Sequence, residues 1–340
     1  MAIFINIFLK TFAFAISILS LIFVIFLTLN LFNKENNNSF SFISGEKNSN
    51  NTIAIINLDG LIIERNRDIS TLANRAIIAP SEVKNYLEDL DSSSTKVIIF
   101  SINSPGGTVS ASKNLYEIIK NYKEIHKVEI LFHTNELLAS GGYWVSLSGD
   151  KIFANYGSII GSIGVKGPDW FYYDTPNSIS TGIFGSTIET GEGIKIYSNT
   201  AGKSKDIFNP FRKPTKQELN HLQQMVDSIY EDFVRIVSKE RSLETNTIIN
   251  EIGALIYTTK NAKKLNLIDG EINLDDLITK TLREKKFKDY KIIKTQNLNK
   301  SLLREVFTNT NDRLGFYKNN SCFNLRSSIS TILNYHSVGC

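Results

Sequence analysis

Residues 96–134 read KVIIFSINSPGGTVSASKNLYEIIKNYKEIHKVEILFHT. Lys96 to Asn103 is an apolar run rich in β-branched residues, the pattern of a strand. It closes on Ser104-Pro105-Gly106-Gly107, a turn. From Val109 the period changes: Leu115, Tyr116, Ile118, Ile119 and Tyr122 recur at helical spacing. Lys127 to Thr134 returns to a strand pattern. Strand, helix and strand in this order imply a βαβ unit.

The same alternation extends in both directions. Thr52 to Leu58 is a short strand followed by the turn Asp59-Gly60. A helix is expected from Ser140, and extended pieces at Lys151 to Ala154 and Ile159 to Val165. Lys216 to Arg241 has the spacing of a long amphipathic helix, with Leu222, Met225, Val226, Ile229, Tyr230, Phe233 and Val234 on one face. Pro214-Thr215 and Glu218 form a capping-box pattern at its start. That face reads as core-facing, with a subunit contact as the alternative. Shorter helices are expected at Thr258 to Leu265 and Leu274 to Arg283, and a closing strand around Ile292-Ile293. The expected fold class is α/β, with mostly parallel sheets and flanking helices.

The ends of the chain differ from its middle. Thr11 to Phe32 is a run of 22 residues without a charge. At about 1.5 Å per residue it spans about 33 Å as a helix, enough to cross a bilayer. A cleaved signal would have a shorter apolar core and a small-x-small site. Here the run leads into LFNKENNNSF, which favours an uncleaved anchor. Lys10 and the amino terminus precede the span, so it points N-in and sets the bulk of the chain outside the cytoplasm. Residues 1–32 are thus read as stub and anchor, 33–51 as an Asn/Ser-rich flexible linker, 52–295 as the folded domain and 296–340 as a poorly ordered tail.

Composition narrows the chemistry. The 38 basic and 34 acidic residues leave a net charge of only +4, with no dense basic stripe, which argues against nucleic-acid binding. The two cysteines, Cys322 and Cys340, lie in the tail and exclude a disulfide framework and Cys-based metal sites, although they can pair with each other in an oxidising compartment. The four histidines form no cluster, so neither a metal nor another cofactor is expected.

Three glycine-rich stretches carry candidate catalytic residues. At Ser104-Pro105-Gly106-Gly107 the paired glycines let the backbone approach a ligand, and amides at a helix start suit an oxyanion. Alone, such a turn reads as an ordinary turn. At Leu138-Ala139-Ser140-Gly141-Gly142-Tyr143 a serine flanked by small residues can expose its hydroxyl, or it can cap the following helix. Leu138 stands where G-x-S-x-G needs glycine, which disfavours an α/β-hydrolase elbow. Gly202-Lys203-Ser204-Lys205-Asp206 is a basic loop that by itself reads as solvated. Together they allow a Ser–Lys pair. A serine nucleophile needs a base. A lysine serves if its pKa drops from ~10.4 to near 7, which burial away from water can achieve. Spacing alone does not bring Ser140 and Lys205 together.

Four segments resemble the bacterial signal peptide peptidase A (protease IV) family of the ClpP/crotonase fold: KVIIFSINSPGGTVSAS (96–112), LLASGGYWVSLSGDKIFANYGSIIGSIGV (137–165), AGKSKDIFNPFR (201–212) and IYTTKNAKKLNLIDG (256–270). The resemblance implies Ser140 as nucleophile and Lys205 as general base, with Lys203 a weaker rival. It implies the amides of Gly107 and Gly141 as oxyanion donors, with Gly106 adjacent. It also implies a homo-oligomeric ring, in which the lysine can reach a neighbour's serine, peptide substrates such as cleaved signal peptides, and a place in the bacterial inner membrane with the catalytic domain on the extracytoplasmic side.

Residues 166–195 depart from the family by being longer and less regular. They hold the aromatic run Trp170-Phe171-Tyr172-Tyr173, which can line a substrate groove, meet a bilayer or simply pack. The resulting expectation is a single-pass, membrane-anchored serine endopeptidase. The alternatives are an inactive membrane scaffold of the same fold and a crotonase-type acyl-thioester enzyme.

Overall fold

The structure is a computed structural model and describes residues 2–32, 39–64, 76–174, 176, 178–181, 186–189, 191, 193–194 and 199–296. It divides into two units, 1–41 and 42–340. Residues 33–38 of the expected linker and 297–340 of the expected tail, with both cysteines, lie outside the described residues.

The first unit is built on one helix, α1 (Ala2–Phe32), which starts earlier than the uncharged run because the residues before Lys10 are apolar too. Ile5–Ile25 is long and apolar enough to cross a membrane, with a mean hydropathy of 2.3.

From there the chain runs through β1 (Phe40–Gly45), β2 (Thr52–Asp59), β3 (Leu61–Ile62), β4 (Ile77–Ile78), α2 (Pro80–Glu88), β5 (Thr95–Asn103) and α3 (Val109–His126). The next stretch holds β6 (Glu129–Thr134), β7 (Leu137–Ala139), α4 (Gly141–Ser146), β8 (Lys151–Ala154), β9 (Ile159–Gly161) and the hairpin β10 (Ser178–Thr181) and β11 (Ser186–Glu189). The remainder is α5 (Lys216–Arg241), α6 (Thr245–Thr247) with a π-helical turn at Ile248–Ile252, β12 (Ile256–Thr258), α7 (Thr259–Lys264), β13 (Gly270–Glu271), α8 (Leu274–Lys285) and β14 (Lys291–Thr295).

Seven strands form the main sheet in the order β1-β14-β2-β5-β6-β8-β13, and every pairing from β14 to β13 is parallel. Both faces of its central strands are buried, which is why β2 and β5 read as continuous apolar runs rather than alternating ones. On one face Ile53, Ile55, Val97, Ile99, Leu131 and Phe153 pack with Leu277 of α8. The alternate residues, among them Ile98, Phe100 and Phe132, point the other way, with the two phenylalanine rings stacked at 5.0 Å. Each such side chain contributes roughly 1.5–3 kcal/mol on full burial. The mostly parallel sheet with flanking helices implied by the resemblance is therefore present. A second sheet, β12-β9-β7, carries the strand that leads into Ser140.

Three expectations change. Phe40–Gly45 is strand β1 within the stretch read as linker, because the edge of β14 offers its backbone hydrogen-bond partners. The extended piece at 159–165 is a strand only over Ile159–Gly161, since Ser162 turns to φ 55°. In α5 only the second half of the apolar face is core. Phe233, Val234, Ile236 and Val237 are buried, whereas Met225 is exposed. The cause is the partner: α4 meets α5 through the Trp144–Phe233 stack, at 4.5 Å.

Candidate active site

The Ser104–Gly107 turn is fastened on two sides. Ser104 is fully buried, and its backbone pairs with β7: Ser104 N donates to Leu137 O (2.8 Å) and Ala139 N to Ser104 O (3.1 Å). Its hydroxyl donates to Gly60 O (2.7 Å) and accepts from Gly106 N (3.1 Å). On the other side Ile62 N donates to Gly106 O and Thr108 N to Ile62 O, both at 2.9 Å. This parallel bridge uses the groups either side of Gly107, so the Gly107 amide faces away from Ile62.

Glycine is required here for space as well as for dihedral freedom. A Cβ on Gly107 would stand 1.8 Å from Ile62 O. Gly106 has φ +103°, and a Cβ there would meet Gly141 N at 2.7 Å and Ser140 Cβ at 2.9 Å. A Cβ on Gly141 would meet Ser112 Oγ at 2.2 Å and lie 3.2 Å from Gly107 N. The two glycine stretches, far apart in sequence, thus close on one another around Ser140. Among the described residues neither the Gly107 nor the Gly141 amide donates a backbone hydrogen bond.

Ser140 stands between β7 and α4 with φ 52° and ψ −124°. For a non-glycine residue this conformation costs on the order of 1–3 kcal/mol. It is held by Ser140 N donating to Gly161 O and Trp144 N donating to Ser140 O, each at 2.9 Å. Its side chain makes no capping bond to α4. The helix-capping alternative therefore falls, and the half-buried hydroxyl is left for other chemistry.

Lys205 lies in the Gly202–Phe208 turn and is exposed. Among the described residues no hydrogen bond joins its amine to Ser140. Lys203 is engaged elsewhere: its amine donates to Gln217 Oε1 at 2.6 Å. Next to Lys205, Asp206 accepts two hydrogen bonds from Arg212, at 2.6 and 2.9 Å. The same guanidinium donates to Glu218 at 2.7 and 3.0 Å, and Glu218 completes the expected capping box with Thr215. These donors hold the Asp206 carboxyl below its ordinary range and Glu218 well below it; the Thr215 amide adds to the effect on Glu218. Glu218 and then Asp206 push the Arg212 guanidinium upward.

The aromatic run packs on this loop. Trp170 lies 5.4 Å from the Phe208 ring and donates through Nε1 to Asn209 O at 3.2 Å. Arg212 sits over the Trp170 ring at 5.1 Å. Phe171 and Tyr173 remain more than half exposed. Sequence alone assigns no role in the site to Arg212, Glu218 or Ser104. The capping box is the one local signal for Glu218, and nothing local pairs Asp206 with Arg212. Among the described residues no group of three or more His, Cys, Asp or Glu is arranged to hold a metal ion.

Residues 123–288 match Peptidase family S49. The stretch starts within α3 and ends after α8, so it contains both Ser140 and Lys205. The chain is 35% identical over 201 residues to "Putative protease MJ0651" of Methanocaldococcus jannaschii, covering 59% of this chain and 60% of that one. It is 31% identical over 219 residues to "Putative signal peptide peptidase SppA" of Enterococcus faecium, covering 64% and 58%. Against "Protease 4" of Haemophilus influenzae the identity is 27% over 231 residues, covering 68% and 34%. The chain thus spans no more than about three fifths of the length of these relatives.

The α/β domain carries the stretch that is similar to these named proteases and peptidases. Residues 123–288, just under half of the chain, are thus similar to Peptidase family S49.

Proposed function

We propose that the protein is a membrane-anchored serine endopeptidase in which Ser140 is the nucleophile and Lys205 the general base. The observation that carries this reading is the Ser140 turn: a strained serine with an uncapped hydroxyl, packed against Gly106 and beside the amides of Gly107 and Gly141. Ser140 Oγ attacks the peptide carbonyl while the Lys205 amine takes its proton. The Gly107 and Gly141 amides receive the oxyanion, which supplies the largest electrostatic part of the rate enhancement. Lys205 returns the proton to the leaving amine, and water then releases the acyl-enzyme.

The exposure of Lys205 fits a base that completes the site in a ring of copies, reaching the serine of a neighbour. The half-exposed apolar face of α5, including Met225, is surface that such an assembly would cover. The substrates proposed are cleaved signal peptides and other short apolar peptides at the membrane, bound as extended strands. With α1 as a single-pass anchor in the bacterial inner membrane and the domain outside the cytoplasm, the enzyme and its substrates share one surface, which raises their effective concentration.

The test is active-site labelling of the purified full chain with a fluorophosphonate, alongside hydrolysis of a fluorogenic apolar peptide. Ser140→Ala should abolish both labelling and hydrolysis, and Lys205→Ala should leave only a small residual rate of hydrolysis, each with an unchanged unfolding midpoint. Near-normal turnover in either variant rejects the pair.

A further inference from the structure

We propose that Arg212 is a positioning residue that fixes the turn carrying Lys205, with Trp170 as its cover. The inference rests on Lys205 being the base. The turn has little regular structure of its own. Gly202, Ser204 and Phe208 all have positive φ, at 96°, 59° and 68°. Among the described residues its backbone is closed by successive short-range bonds: Lys205 N to Gly202 O (3.2 Å), Ile207 N to Ser204 O (3.1 Å) and Asn209 N to Asp206 O (3.0 Å). Such a turn does not fix where a long, flexible lysine side chain starts.

Arg212 supplies the missing reference. Its planar fork grips the carboxylate adjacent to Lys205 on one side and Glu218 on the other. Bidentate pairs of this kind set direction as well as distance. Glu218, with its side chain 5% exposed, lies in the first turn of α5. The far half of α5 is buried in the core and stacks on α4, the helix that begins at Gly141. The Lys205 turn is therefore tied, through two ion pairs and one rigid helix, to the scaffold that holds the serine turn. Trp170 covers the guanidinium face and also binds the loop at Asn209. Trp170 thereby covers one face of ion pairs that are only partly exposed, where a fully exposed pair would be weak.

The experiment compares peptide hydrolysis by the full chain carrying Arg212→Gln, Arg212→Lys, Asp206→Asn, Lys205→Ala and the Arg212→Gln/Lys205→Ala pair. Misplacing a catalytic group by about 1 Å lowers rate about 100-fold. Arg212→Gln should therefore lower kcat at least tenfold with KM within about twofold, and Asp206→Asn should do the same. Arg212→Lys keeps the charge but not the fork and should recover only part of the loss. In the Lys205→Ala background, Arg212→Gln should add no further loss to the residual rate, because residues that act as one unit are not additive. The proposal is overturned if Arg212→Gln keeps kcat within threefold, or if it slows the Lys205→Ala enzyme by its own full factor. If Arg212→Gln does not fold, full activity in Arg212→Lys overturns it instead. Normal turnover in Lys205→Ala alone marks a different failure, that of the base assignment.

Discussion

Replacing Gly106 by alanine tests the serine pocket without replacing any reacting group. The new methyl would stand 2.7 Å from Gly141 N, 2.9 Å from Ser140 Cβ and 3.1 Å from Ser140 Oγ. Two of these neighbours are backbone or stem atoms that cannot swing aside, so the Gly141 amide and Ser140 must shift by several tenths of an ångström. The residue also sits at φ +103°, where a side chain costs roughly 1–3 kcal/mol. For a domain of this size that lowers the unfolding midpoint by about 2–4 °C per kcal/mol. The larger effect falls on rate. Removing or displacing one oxyanion donor costs on the order of 100- to 1000-fold in kcat. Gly106→Ala should therefore lose at least 100-fold in hydrolysis of a fluorogenic peptide and label slowly with a fluorophosphonate, while still folding. Gly157→Ala is the matched control: its φ is +82° but nothing lies within 4 Å of the added Cβ. It should show a comparable backbone penalty, roughly 1 kcal/mol, and unchanged activity. Activity within threefold of normal in Gly106→Ala, or an equal loss in Gly157→Ala, would refute the packing argument.

Other outcomes follow from the same geometry. Asp269 accepts from Arg241 (2.9 Å) and from Ile152 N (2.7 Å), so Asp269→Ala should lower stability by about 2 kcal/mol, read as a fall in unfolding midpoint. Glu218 is held ionised by Arg212, its folded pKa lying below the unfolded value of ~4.3. Its contribution is full above that value and is lost as pH falls through the folded one. Melting curves from pH 7 to 3 should therefore decline below about pH 4.3, and Glu218→Gln should be less stable at neutral pH with a shallower acid decline; an unchanged acid profile would contradict the pairing. Removing residues 1–32 should move the protein from the membrane to the soluble fraction with Ser140 still reactive, and retention on washed membranes would argue against α1 as the anchor.

Local pattern carried much of the fold. The change of period after Asn103 and again at Lys127 predicts β5, α3 and β6, because parallel strands buried on both faces and a half-buried helix leave different periodic marks. Thr215 and Glu218 announce the start of α5 through chemistry confined to one turn. The glycines at 106, 107 and 141 were legible as candidates, since glycines at such turns let the backbone approach a ligand.

What sequence could not supply was long-range pairing. The Ser104–Leu138 bridge brings the two glycine turns together, and it depends on which strands lie side by side rather than on either turn. Whether the Ser140 side chain caps α4 was likewise open in the sequence, and the structure shows a positive φ there and no capping bond. The whole apolar face of α5 read as core, but burial depends on having a partner, and α4 reaches only its second half. Amino-acid order thus determined the elements and the residue types able to do chemistry. Tertiary structure alone decided which of them meet, because a contact between segments distant in the chain leaves no periodic trace in either.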